Sequence, residues 1–125
     1  MRSMRAAGAL AAMVLTATLA AAPNAQAAAG DCIGELATSK WGVKGHVMIF
    51  RETAGWCAIA YHSQEYWGVY LPTAVQMIRA DGAVSAQDDG NYRYYAGPVR
   101  WGYGGIVWAS AWIGGEHLVT GPAWP

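Results

Sequence analysis

The sequence predicts an all-β fold, a small antiparallel β-sandwich or barrel of about six short strands, preceded by a helical signal peptide. Three observations support this fold class. Short segments rich in β-forming residues recur at intervals of roughly a dozen residues. Clusters of Gly, Asp and Asn separate these segments, and no convincing amphipathic helix follows the first thirty residues.

The N-terminal segment has the features of a secretory signal peptide. Arg2 and Arg5 give a positive start, Ala6–Ala22 is an apolar run, and Ala25-Gln26-Ala27 is a small-residue cleavage site. The apolar run is mostly alanine and shorter than the ~20 strongly apolar residues of a membrane span. We therefore expect residues 1–27 to be a signal peptide and residues 28–125 to form a single β domain, secreted and free of the membrane after cleavage.

The charge of the exported part excludes several partner classes. Removal of Arg2 and Arg5 leaves six Lys and Arg against eight Asp and Glu, a formal charge of −2. No basic cluster is present to neutralise phosphates or to bind an anionic membrane surface. Nucleic acid is therefore not an expected partner.

Cys32 and Cys57 are the two cysteines of the chain. An even pair in an oxidising compartment predicts one disulfide between them. The closed loop of 25 residues would stabilise the domain by roughly 3–4 kcal/mol in the chain-entropy model. That is a large share of the net stability of so small a domain.

A hairpin is predicted after an irregular first segment. Residues 32–45 are typical of a short strand or a loop held by the disulfide. Residues 46–51 are rich in β-formers, 53–55 predict a turn, and 57–61 return with alternating faces. The face that carries Cys57 would also carry Ile59 and Tyr61.

Residues 67–79 allow two structures. At period 2, one face of a strand would carry Val69, Leu71, Val75 and Met77. Residues 73–78 could instead form a short helical turn after Pro72. Because proline is disfavoured in the centre of a sheet, the strand reading predicts an edge strand, or two segments bent at Pro72.

Turn chemistry and alternation predict the remaining elements. Turns are expected at Asp81-Gly82, at 88–91 and at 102–105. A strand is expected at 92–99, interrupted by a bulge at Gly97-Pro98. Residues 106–113 predict a strand whose two faces carry, respectively, Ile106, Trp108, Ser110 and Trp112, and Val107, Ala109, Ala111 and Ile113. A last short strand is expected at 117–120.

No catalytic or metal-binding motif accompanies these strands. The three histidines, His46, His62 and His117, lack the HExxH spacing and a nearby cluster of metal ligands. Ser63 follows His62, but neighbouring strand residues face opposite sides. We therefore predict a protein that is not an enzyme and has no cofactor. A hydrolase would need two carboxylates, or a Ser–His pair, brought together by the fold.

The fifteen aromatic residues are the strongest remaining signal. The sequence favours core positions for most of them, because Leu and Ile are too few to fill a core. Those left on a water-facing strand face would form an exposed patch that marks an interaction site. The candidate binding surface is Tyr92, Tyr94, Tyr95, Trp101, Tyr103, Trp108 and Trp112.

Four segments resemble the spore-associated protein A family, small secreted proteins of filamentous actinobacteria. They are Cys32-Ile33-Gly34, the Gly-x-Val-x-Ile segment 45–49, the Gly-x-Cys-Ala segment 55–58, and the run Asp89-Gly90-Asn91-Tyr92-Arg93-Tyr94-Tyr95-Ala96-Gly97-Pro98-Val99. The last is the most specific. Family members tend to carry two further cysteines, and their loss here implies that those two pair with each other and leave Cys32 with Cys57.

The resemblance implies a β-rich exported protein of the spore surface or aerial mycelium, without established enzymatic activity. The expected function is therefore that of a secreted, non-enzymatic surface or structural protein, associated with the spore or cell envelope. The alternative is a carbohydrate- or protein-binding module, such as an inhibitor of an extracellular hydrolase, that uses exposed Tyr and Trp. The expected partners are cell-wall or spore-surface components.

Overall fold

A computed structural model describes residues 31–125, and residues 32–125 form one compact unit. The predicted signal peptide, residues 1–27, lies outside the described residues. Within residues 31–125, no helix is long and apolar enough to cross a membrane.

Eight strands form two four-stranded antiparallel sheets. In chain order they are β1 (Glu35–Trp41), β2 (Gly45–Glu52), β3 (Gly55–His62), β4 (Leu71–Arg79), β5 (Asp88–Tyr92), β6 (Tyr95–Trp101), β7 (Val107–Ile113) and β8 (Glu116–Val119). A 3₁₀ turn, Gln64–Tyr66, lies between β3 and β4. The first sheet has the order β1-β2-β3-β6 and the second β5-β4-β7-β8. The fold is thus an all-β sandwich of two open sheets, with two more strands than expected.

The core between the sheets is built from small and aliphatic side chains. The inner faces carry Val47, Ile49, Ala58, Ala60, Val75, Met77, Val107, Ala109, Ala111 and Ile113, all fully buried. Of the fifteen aromatic residues, Trp56 and Tyr95 are buried, whereas six are exposed and seven are half-buried. The expectation that most aromatics fill the core is wrong, because small and aliphatic side chains occupy most inner positions, and Trp56 is the one aromatic residue in the buried cluster of the described residues.

The predicted hairpin and disulfide are confirmed. Strands β2 and β3 pair in continuous register, with Phe50 opposite Cys57. Cys32 and Cys57 form a disulfide with a Cα–Cα separation of 5.6 Å. The bond ties the segment before β1 to the centre of the first sheet.

Pro72 occupies a different position from the one expected. It is the second residue of β4, and β4 lies between β5 and β7 rather than at an edge. Proline is tolerated near the start of a strand, where few ladder bonds depend on its missing N–H. Its carbonyl accepts a hydrogen bond from the Gly114 N–H at 2.8 Å. The short helical turn at 73–78 does not form.

The predicted turn at 88–91 is instead the edge strand β5. The chain then bends at residues 93–94 and enters β6 in the other sheet, so the strand expected at 92–99 is divided. Pairing with β4 overrides the turn preference of the Asp-Asp-Gly-Asn sequence. The expected bulge is present, because the β3–β6 register shifts where Gly97-Pro98, a cis peptide bond, occurs.

Two polar connections join the sheets. The buried His62, at the end of β3, is bonded through Nε2 to Thr73 Oγ1 of β4 at 2.8 Å. At the same end of the sandwich, the Glu116 carboxylate accepts the backbone N–H groups of Val43 (3.0 Å) and Lys44 (2.8 Å). These bonds fix the turn between β1 and β2 against the turn between β7 and β8.

Candidate functional site

The outer face of the second sheet carries two tryptophans from one strand. Trp108 and Trp112 lie on β7, on the side opposite the buried Val107, Ala109 and Ala111, as alternation predicts. Strand pairing places further side chains on this face. We call the set the tryptophan face: Ala74, Gln76, Ile78, Trp108, Ser110, Trp112, His117 and Val119.

His117 holds the most exposed of these tryptophans in place. Its ring is stacked on that of Trp112 with a centroid separation of 4.3 Å and an interplanar angle of 6°. Its Nε2 is hydrogen-bonded to Ser110 Oγ at 2.8 Å. The ring stack and the hydrogen bond together fix the orientation of the imidazole. Trp112 remains 37% exposed.

Ser110 and His117 form the Ser–His pair that the sequence does not place together. Nucleophilic catalysis also needs a group that orients the base, and donors for the developing oxyanion. Among the described residues no carboxylate is bonded to His117, and Glu116 is engaged by the amides of residues 43 and 44. Ser110 is only 3% exposed, in the middle of a paired strand. This arrangement positions the imidazole rather than activating the hydroxyl.

A second exposed group of aromatic residues lies at one end of the sandwich. We call it the rim cluster: Trp67, Val69, Tyr70, Arg93 and Tyr94. The Arg93 guanidinium lies 5.3 Å from the ring centre of Tyr70 and 5.7 Å from that of Tyr94. The Trp67 and Tyr94 ring centres are 4.9 Å apart. Trp67 and Tyr70 are 50% and 61% exposed, so the cluster presents the residue types typical of protein-binding hot spots.

Two hydrogen bonds between Gly68 and Arg93 hold the two loops of the rim cluster together. The Gly68 N–H donates to the Arg93 carbonyl at 2.9 Å, and Arg93 Nε donates to the Gly68 carbonyl at 3.1 Å. Gly68 has a φ of +89°, which residues with a side chain rarely adopt. These bonds restrain the loops that carry the exposed rings, which lowers the conformational entropy lost on binding.

Four members of the predicted binding surface have structural contacts. The Tyr92 hydroxyl donates to Asp88 at 2.5 Å, and this carboxylate raises the pKa of Tyr92 to about 12. Tyr95 is buried beside Tyr61. The Arg79 guanidinium lies 3.9 Å from the ring centre of Trp101.

The fourth is Tyr103, whose hydroxyl donates to the Glu52 carbonyl at 2.6 Å. Its ring packs edge-on against the buried Trp56. Of the predicted surface, only Trp108 and Trp112 lie together on one open sheet face, and Tyr94 belongs to the rim cluster. The sequence reasoning did not single out Trp67 and Tyr70, although aromatic residues beside a loop glycine were a signal for them.

A third aromatic row crosses the first sheet on its outer face. Trp41 stacks on His46 at 3.8 Å, and His46 lies 5.5 Å from Tyr61, which contacts Tyr95 at the same distance. The four residues come from β1, β2, β3 and β6. Burial lowers the pKa of His46, so the ring is neutral in the stack at neutral pH.

The described residues near the disulfide form neither a metal site nor a ligand pocket of typical size. The sulfurs of Cys32 and Cys57 and a carboxylate oxygen of Glu52 lie within 4.8 Å of one another, but both sulfurs are joined in the disulfide and are not thiolates. Burial acts to raise the pKa of Glu52, but its pairing with Arg100 and the hydrogen bond it accepts from the Ile33 N–H outweigh this and lower the pKa. The adjacent depression of about 190 Å³ is smaller than the roughly 300–1,000 Å³ of typical ligand pockets.

No family model matches the chain, and neither a curated protein nor a solved structure is significantly similar to it. The resemblance to the spore-associated protein A family therefore stays a prediction.

Proposed function

We propose that this is a secreted, non-enzymatic protein of the spore or cell envelope that attaches to surface material through exposed aromatic residues. The observation that carries the proposal is the distribution of aromatics, six of which are exposed while mainly small and aliphatic side chains fill the core. Exposed rings on fixed supports serve binding rather than stability. The disulfide is consistent with an oxidising, extracellular compartment.

The functional groups described above support a binding role over a catalytic one. The acidic residues with hydrogen bonds in the interior or at the sheet ends act as structural acceptors: Asp88 for Tyr92 and Gly97, Glu52 for Ile33 and Arg100, and Glu116 for two turn amides. Such carboxylates are not arranged as an acid–base pair. The Ser110–His117 contact has no orienting carboxylate among the described residues.

A second candidate function, protein binding, is favoured by the rim cluster. Arg93 lies between two tyrosines beside an exposed tryptophan, a combination that dominates the energetics of many protein interfaces. An inhibitor of an extracellular hydrolase would use such a preorganised surface. This function predicts retention by a protein partner rather than by polysaccharide.

Cosedimentation tests the proposed function. Protein recovered after export of the full chain is mixed with purified cell walls or spore coats, and the bound fraction is measured after centrifugation. We expect most of the wild-type protein in the pellet. Protease treatment of the insoluble material beforehand abolishes binding if the rim cluster is the attachment site, and leaves it intact if the ligand is polysaccharide. A protein found only as free monomer in the supernatant would contradict the proposal.

A further inference from the structure

We propose that the tryptophan face binds a neutral polysaccharide chain, whose sugar rings pack against Trp108 and Trp112. This inference names the ligand class of the proposed binding function and rests on it. It is drawn from the spacing of the two rings, the uncharged residues beside them, and the charge of the face.

The two tryptophans suit a linear ligand. They lie four residues apart on β7, which corresponds to about 13–14 Å along an extended strand. Ser110 lies between them on the same face, where it is almost completely buried and its hydroxyl is bonded to His117. A linear chain that follows β7 can therefore contact both rings at once, whereas a single sugar can contact only one.

Uncharged residues form the surroundings of the rings. Ala74 of β4 lies opposite Trp112, and Gln76 lies opposite Ser110. Ala74 is itself buried and adds no polar or charged group beside the Trp112 ring. Sugars present C–H faces for aromatic packing and hydroxyls for hydrogen bonds, and the Gln76 amide and His117 supply polar groups next to the rings.

The charge of the face argues for a neutral ligand. None of the eight residues that define the tryptophan face is Lys, Arg, Asp or Glu. Its neighbour at the β5 edge, Asp89, is an exposed carboxylate, which would repel an anionic polymer. A sulfated or uronic-acid polymer would leave its charges unpaired here, whereas a neutral chain has no charges to leave unpaired. The rim cluster, by contrast, contains the charged residue Arg93.

The face is also preorganised. Trp112 is held by the stacked His117, which is itself bonded to Ser110. A ring that is already ordered loses little conformational entropy when a ligand packs on it. The face is therefore suited to bind without a conformational change of the sheet.

Calorimetry and tryptophan fluorescence with defined oligosaccharides test the inference. The probes are cellohexaose and chitohexaose as neutral chains, cellobiose as a chain too short to contact both rings, and dextran sulfate as an anionic polymer. The variants are Trp112→Ala, Trp108→Ala and, as the matched control on the rim cluster, Trp67→Ala. Thermal unfolding checks that each variant is folded, and indole N–H chemical shifts of the wild type report contact without any substitution.

We expect at least one neutral hexasaccharide to bind, cellobiose to bind more weakly, and dextran sulfate not to bind. Trp112→Ala should weaken binding about tenfold or more, and Trp67→Ala should leave it unchanged. Loss of binding in Trp67→Ala with retention in Trp112→Ala would overturn the inference and leave the proposed function intact. Cosedimentation with cell walls but no binding of either hexasaccharide would also overturn the inference and leave the proposed function intact. Failure of both assays would overturn both.

Discussion

Asp88 determines the structural role of residues near it in the sequence. It lies in a sequence typical of a turn, yet its Oδ1 accepts the Tyr92 hydroxyl and its Oδ2 accepts the Gly97 N–H at 2.6 Å. The carboxylate therefore joins β5 of one sheet to β6 of the other. Tyr92, expected on a binding surface, is used to satisfy this carboxylate, and its ring packs against the core.

Removing the Tyr92 hydroxyl tests this connection. Tyr92→Phe should lower the free energy of unfolding by about 1–2 kcal/mol, because a bond to a charged acceptor is lost while the ring remains. The ionisation at pH of about 12 should disappear from the ultraviolet absorbance titration. Tyr70→Phe, at an exposed ring of the rim cluster, is the control and should change stability little. An unchanged titration curve in Tyr92→Phe would refute the assignment.

At the level of the strands, alternation was the informative signal. It predicted β2, β3 and β7, and it separated the two faces of β7 correctly. It could not predict β5, whose polar sequence becomes a strand only through pairing with β4. Nor could it place Pro72, since strand order depends on long-range pairing and not on local preference.

The turns that join the two sheets offer a test at this scale. The Glu116 carboxylate accepts two turn amides, which together lower its pKa. Glu116→Ala should reduce the free energy of unfolding by roughly 1 kcal/mol. The loss is modest because the site is accessible, so water can accept the hydrogen bonds of both amides in place of the carboxylate. The control, Glu65→Ala in the exposed 3₁₀ turn, should have a smaller effect. Equal losses in the two variants, measured by chemical denaturation, would contradict a specific role for Glu116.

For the whole molecule, the placement of the aromatic residues was the least predictable property. The sequence favours core positions for most aromatics, yet Trp108 and Trp112 lie on the outer face of β7, and Ala109 and Ala111 lie on its buried face. Which face of β7 meets the other sheet depends on the separation that all the inner side chains allow together. The sequence could therefore predict that the two tryptophans share a face, but not that the face is open.

The pH dependence of stability is also a property of the whole fold. Burial lowers the pKa of both His62 and His46, whereas unfolded histidine titrates near pH 6.5. Below that pH the unfolded chain binds more protons than the folded one, so the free energy of unfolding falls. At the alkaline end, the folded pKa of Tyr92 is raised to about 12 from 10.0. The stabilisation from its protonated hydroxyl is therefore lost as pH rises from 10.0 to about 12.

We therefore expect maximal stability between about pH 6.5 and 10, with a loss on either side. Chemical denaturation across this range should show the acid arm flattened in the double variant His46→Gln/His62→Gln, because glutamine retains hydrogen-bonding groups but does not titrate. The alkaline arm should be flattened in Tyr92→Phe alone. An unchanged slope between about pH 5 and 6.5 in the histidine variant would show that the two imidazoles do not govern acid stability, because the pKa of Glu52 is lowered from 4.5 and its contribution is lost only below this range. Stability that rose on acidification through this range would contradict the burial of both imidazoles as neutral rings.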